Sequence, residues 1–126
     1  VEGIIYTGPQ PYARIPLYLG ASDVLVLKTE DEIADRARGP IRLGDYLAAG
    51  RPIITGTGDA AREIHKHECG YSIKPGDPRD LADKIIEMAN RSDLWEKFGK
   101  NARALAEGDL SWGKITKDLE QLYKAN

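Results

Sequence analysis

The residues best suited to chemistry in this 126-residue chain lie in one run, Gly39-Pro40-Ile41-Arg42-Leu43-Gly44-Asp45-Tyr46-Leu47-Ala48-Ala49-Gly50-Arg51-Pro52. Leu43 and Leu47 are four apart, and Gly50 and Pro52 stop the pattern, so the spacing predicts a helix from Ile41 to Ala49. The first turn of such a helix offers free backbone N–H groups and the positive end of the macrodipole, which together favour a phosphate. A Gly39-Pro40 entry lets an anion approach the backbone closely, and Arg42 adds a fixed charge with forked donors. Asp45, one turn on, can accept two hydrogen bonds from a ribose diol. Arg42 and Asp45 equally suit an ordinary helix carrying a surface ion pair at spacing three.

Other groupings offer less. Thr55-Gly56-Thr57-Gly58-Asp59 is a glycine-rich turn before a helix and can cradle phosphate, but it lacks the lysine and spacing of a P-loop. A plain strand-to-helix turn explains it as well. His65-Lys66-His67-Glu68-Cys69 has metal-type side chains without a second cluster, so no metal is expected. Cys69 reads as a small buried residue beside a strand at Tyr71, and Trp95, Phe98 and Trp112 read as packing anchors. No Ser-His-Asp grouping offers a hydrolytic nucleophile, and no catalytic residue is assigned.

Four short segments bounded by turn formers must position these residues: Ile4-Ile5-Tyr6-Thr7, Val24-Leu25-Val26-Leu27, Ile53-Ile54-Thr55 and Tyr71-Ser72-Ile73. The first three are aliphatic runs without alternation, the mark of strands buried on both faces of a parallel sheet. Helical patterns fall between them, around Ile15–Leu19, Ile41–Ala49 and Ala60–His67. Three further helices follow without a strand. One starts at Asp77-Pro78 with a Leu81, Ile85, Met88 stripe. The next carries Leu94, Phe98, Ala102 and Leu105, and the last begins at Ser111 with Ile115, Leu119, Leu122 or Tyr123. The expectation is an open, Rossmann-like α/β fold of about four parallel strands, helices on both faces and a three-helix tail. The stretch from Thr29 to Gly39 holds six charged residues and leads from the second of these strands into the Ile41 helix, where doubly wound sheets bind ligands.

Composition bounds the function classes. The chain is 41% hydrophobic and 30% charged, which suits one globular domain. With 18 Lys+Arg against 20 Asp+Glu, a net charge of -2 and an isoelectric point near 5.7, it has no electrostatic footprint for nucleic acid. The single cysteine excludes a disulfide framework and fits a reducing compartment. No apolar run suits a membrane span or a signal peptide, so a cytoplasmic location is expected. The chain starts at Val1 rather than Met and is expected to be a processed protein or a piece of a longer one.

The ordered motifs resemble the second half of the C-terminal domain of GT-B-fold glycosyltransferases of the group 1 type, a retaining family that uses sugar nucleotides. They are Ile5-Tyr6-Thr7-Gly8, Ala21-Ser22-Asp23-Val24-Leu25-Val26-Leu27, Pro40-Ile41-Arg42-Leu43, Asp45-Tyr46-Leu47-Ala48-Ala49-Gly50-Arg51-Pro52, Ala61-Arg62-Glu63-Ile64, Gly70-Tyr71-Ser72-Ile73 with Gly76-Asp77-Pro78, and Ser111-Trp112. The resemblance covers essentially all 126 residues. It implies a single partial domain over 1–126 that binds the donor of a hexose-type transfer, with the acceptor domain and two strands of this domain absent.

In that family two glutamates separated by seven residues bind the transferred sugar and the ribose. Asp45 takes the second position and Ala37 the first, so Asp35, or Glu32 in the same loop, would have to substitute. The implied site is Gly39, Ile41, Arg42, Leu43 and Asp45, with Thr7, Gly8, Asp35, Gly56, Thr57 and Gly58 in second rank. The nucleotide sugar is substrate, and no cofactor is expected. The other implied partner is the absent N-terminal domain, through which the protein would meet a membrane surface if it does so at all. A non-catalytic α/β binding or interaction domain is the alternative. With two strands absent, Ile4–Thr7 is expected to slide in beside Val24–Leu27, with some self-association at a raw sheet edge.

Overall fold

Strands whose residues are apolar on both sides need cover on both faces, and the fold supplies it for Ile53–Thr55 but not for Leu25–Leu27, where Val26 is 39% exposed. The computed structural model describes residues 2–28, 33 and 41–125. Three parallel strands, β1 (Leu25–Leu27), β2 (Ile53–Thr55) and β3 (Gly70–Ser72), lie side by side in chain order. Leu25 stands opposite Ile53, and Ile53 opposite Gly70. All three residues of the central strand are fully buried. The described α-helices are α1 (Ile15–Ala21), α2 (Ile41–Ala49), α3 (Gly58–Lys66), α4 (Pro78–Asn90), α5 (Trp95–Glu107) and α6 (Trp112–Lys124). A 3-10 turn at Tyr12–Arg14 leads into α1, and another at Ser92–Leu94 into α5.

Alternation along β2 divides the core. Ile53 joins Leu25, Leu27, Leu43, Leu47, Ala60 and Ile64 under α2 and α3, while Ile54 joins Ile73 and Met88 under α4. Helix α5 serves both sides, with Phe98 in the second cluster and Ala102 and Leu105 in the first. Each fully buried Leu or Ile contributes roughly 1.5–3 kcal/mol of transfer free energy. Helix α2 ends at Gly50, whose φ of 64° suits a residue without a Cβ. Its carbonyl lies so near Gly99 of α5 that a methyl at Gly99 would overlap it.

The helix starts agree with their sequence signals. The Asp77 carboxylate accepts from the N–H groups of Arg79 at 3.0 Å and Asp80 at 3.1 Å, and Ser111 Oγ accepts from Lys114 N–H at 3.3 Å.

Several expectations are corrected. The described sheet has three strands, because Ile4–Thr7 forms no strand and leaves Ile4, Ile5 and Tyr6 at least 71% exposed. Gln10 Nε2 donates to Thr7 O at 2.7 Å, and the Tyr46 hydroxyl donates to Val26 O at 3.5 Å on the open side of β1. Ile85 is 44% exposed, because Met88 alone of the predicted stripe is fully buried and Leu81 is partly buried. Trp95 is an anchor, donating from Nε1 to Met88 O at 2.8 Å, whereas Trp112 is 82% exposed. Helix α6 buries none of its residues. Among the described residues no helix is long and apolar enough to cross a membrane.

Candidate functional site

The chain connections decide which helix ends meet. Only Ser22–Val24 separates α1 from β1, and only Gly50–Pro52 separates α2 from β2. The C-termini of both helices therefore lie at the edge where the strands begin. Their N-termini lie at the opposite edge, beyond the carboxyl ends of the strands, as does that of α3, which starts just after β2. That edge is where open α/β sheets receive ligands.

The predicted site residues distribute unequally around it. Ile41 and Arg42 are exposed at the start of α2, and Asp45 is half-buried one turn further. Leu43 points its side chain into the core, leaving its backbone as the part available to an anion. Thr57 and Gly58 are half-buried at the start of α3, with Gly56 buried behind them. Thr7 is exposed, and Gly8, with φ 66°, turns the chain toward Tyr12. Gly39 and Asp35, with Ala37 and Glu32, lie outside the described residues.

The two helix starts differ electrostatically. Helix α3 carries Asp59 in its first turn, ion-paired to Arg62, and a carboxylate there competes with an incoming anion. Helix α2 has no acidic residue in its first turn and carries Arg42 there instead. Among the described residues no ion pair joins Arg42 to Asp45, so both remain available to a ligand.

Asp45 borders a cavity of about 300 Å³ between α1 and α2. Tyr12 of the 3-10 turn and Ile15, Pro16 and Leu19 of α1 form one wall. Two arginines tie down its lower end. Arg51 donates from Nη2 to Gly20 O at 2.5 Å, and Arg103 donates from Nη1 to Ala48 O at 2.5 Å, so each satisfies a carbonyl in the last turn of a helix. Sequence reasoning missed this cavity and both arginine contacts. The available signal was an Arg directly after the glycine that ends α2. A larger hollow of about 520 Å³ is lined by Asp23, Pro52, Trp95 and Lys100. It sits where the strands begin, at the wrong edge for a donor site of this fold.

Among the described residues no three His, Cys, Asp or Glu side chains are grouped as metal ligands would be. His67 Nε2 stands 3.3 Å from the Glu63 carboxylate. Cys69 is fully buried, and burial, reinforced by the charge of Glu63, pushes its thiol up to about 11.

A family model described as Glycosyl transferases group 1 matches residues 2–105. The chain is 32% identical to spore coat protein SA of Bacillus subtilis (strain 168) over 84 residues, which is 65% of this chain and 22% of that protein. It is 31% identical to the capsular polysaccharide biosynthesis glycosyltransferase CapM of Staphylococcus aureus over 71 residues, 56% of this chain and 19% of that one. A sucrose-phosphate synthase from Thermosynechococcus elongatus has a similar fold, with a TM-score of 0.72 and 24% identity over 86% of this chain and 26% of its own. The matched region thus spans about a fifth of the length of the curated relatives.

Proposed function

The chain belongs to the group 1 glycosyl transferases, and from that premise we propose that it is the donor-binding part of an enzyme that transfers a hexose-type sugar from a nucleoside diphosphate. The observation that carries this reading is the placement of Arg42 and Asp45 on the first turns of α2, at the carboxyl edge of a parallel sheet. The α2 first turn and Arg42 hold the diphosphate, and Asp45 accepts from the ribose diol. Stabilising the charge that builds on the leaving diphosphate is then the main contribution of these residues to transfer. The glycine-rich start of α3 faces the same edge.

Titration with UDP, ADP and GDP tests this. Saturable, salt-sensitive binding is expected. Asp45→Ala should weaken it by about 1–3 kcal/mol, the cost of losing a hydrogen bond involving a charged group, with folding stability unchanged. An absence of binding at millimolar nucleotide would instead support an α/β interaction domain without turnover.

A further inference from the structure

We propose that the hollow of about 520 Å³ at the edge where the strands begin binds a saccharide ring, held between the Asp23 carboxylate and the Arg51 guanidinium beside Trp95. It lies at the opposite edge from the donor site and does not depend on that reading.

The hollow exists because the chain places little side-chain volume there. Helix α2 runs out through Ala48 and Ala49 to Gly50, and Gly99 of α5 approaches the Gly50 carbonyl too closely to carry a Cβ without overlap. These small residues leave space between the end of α2 and α5, and Pro52 and the half-buried Trp95 supply apolar walls. The indole is fixed in place, because its Nε1 donates to Met88 O at 2.8 Å. The volume lies within the roughly 300–1,000 Å³ of small-molecule sites.

The polar groups at the rim select the class of ligand. Among the described residues the Asp23 carboxylate has no ion-pair or hydrogen-bond partner. Arg51 is half-buried, has no carboxylate partner among those residues, and commits one N–H to Gly20 O. Lys100 and Glu96 pair with each other at 2.5 Å, and Arg103 is engaged by Glu107 and Ala48 O. The rim thus offers acceptors and donors in near balance, so a multiply charged ion gains little there. A sugar needs both, since each hydroxyl donates and accepts, and its C–H faces suit an indole and a proline. Neighbouring hydroxyls can donate to the two oxygens of Asp23 while another accepts from Arg51. The carboxyl edge stays free, so saccharide and nucleotide bind together.

Tryptophan fluorescence tests the assignment. The chain has two tryptophans, and Trp112 is 82% exposed, so Trp112→Phe leaves Trp95 as the reporter without disturbing the fold. In that background maltotriose, cellotriose and chitotriose are titrated with and without excess UDP. At least one should change the Trp95 emission saturably, with the same affinity in UDP. Asp23→Ala should weaken that affinity about tenfold or more, the scale of a lost hydrogen bond to a charged group. Its thermal unfolding should be unaltered, because Asp23 is exposed and unpaired. No saturable change with any of the trisaccharides at millimolar concentration would overturn the proposal, and so would unchanged affinity in Asp23→Ala. Displacement by UDP would also overturn it, since the sugar would then be occupying the donor edge. Binding of glycylglycine as tight as that of the best trisaccharide would overturn it as well, because the balanced rim would then be recognising a zwitterion.

Discussion

Arg51 reaches from the turn after α2 to donate to the Gly20 carbonyl in the last turn of α1 at 2.5 Å. The two residues are 31 apart in sequence, and this bond joins the lower ends of the two helices that flank Asp45. A guanidinium at a helix C-terminus satisfies a carbonyl that has no partner within the helix and faces the negative end of its dipole. Arg103 does the same for α2 through Ala48, from 55 residues away.

Removing the first of these contacts should be measurable. Arg51→Met is expected to lower the free energy of unfolding by about 1.5–3 kcal/mol, the range for a hydrogen bond to a charged donor. Urea denaturation checks this. Lys at the same position should recover only part of the loss, because an ammonium lacks the reach and planar fork of a guanidinium.

Two glycines in helices should respond in opposite directions. Gly99→Ala places a methyl against the Gly50 carbonyl and should destabilise by about 1–3 kcal/mol, as overpacking does. Gly113→Ala in α6 meets nothing within 4 Å and should stabilise by about 0.5–1 kcal/mol through helix propensity. Thermal melts of the pair distinguish close packing from intrinsic preference.

The thiol of Cys69 should stay silent toward alkylating reagents at pH 8 while the protein is folded, and should react at the rate of opening. Its pKa of about 11 lies above the ordinary 9.0. The folded state therefore keeps its proton longer than the unfolded chain does. The stability contribution is fully present below pH 9.0 and is lost as pH rises toward 11. Cys69→Ser or Cys69→Ala should flatten that part of a stability–pH curve.

The N-terminal segment should be dispensable for folding. Ile5→Ser and Tyr6→Ser alter side chains that are 86% and 88% exposed, and should shift stability by less than about 0.5 kcal/mol. Ile54→Ala in the central strand should cost about 2–5 kcal/mol. A large effect at Ile5 would mean that the segment packs against something in solution.

The sequence by itself determined most of the α/β architecture, because its signals are local. Unalternating runs at Leu25–Leu27 and Ile53–Thr55, a stop at Gly50, and caps at Asp77 and Ser111 each act within a few residues. The same local signals put Arg42 and Asp45 on the first turns of one helix. What only the tertiary structure decided were matters of partnership. Ile4–Thr7 has the composition of a strand, yet a strand needs a partner edge, and the described sheet of three strands does not include it. Trp112 has the composition of an anchor, yet an anchor needs a neighbour, and α6 buries no residue. The cavity beside Asp45 depends on how closely α1 approaches α2. Arg51 ties α1 to the end of α2 through the Gly20 carbonyl, and Arg103 ties α5 to α2 through Ala48, and no periodicity in a single segment can encode such contacts.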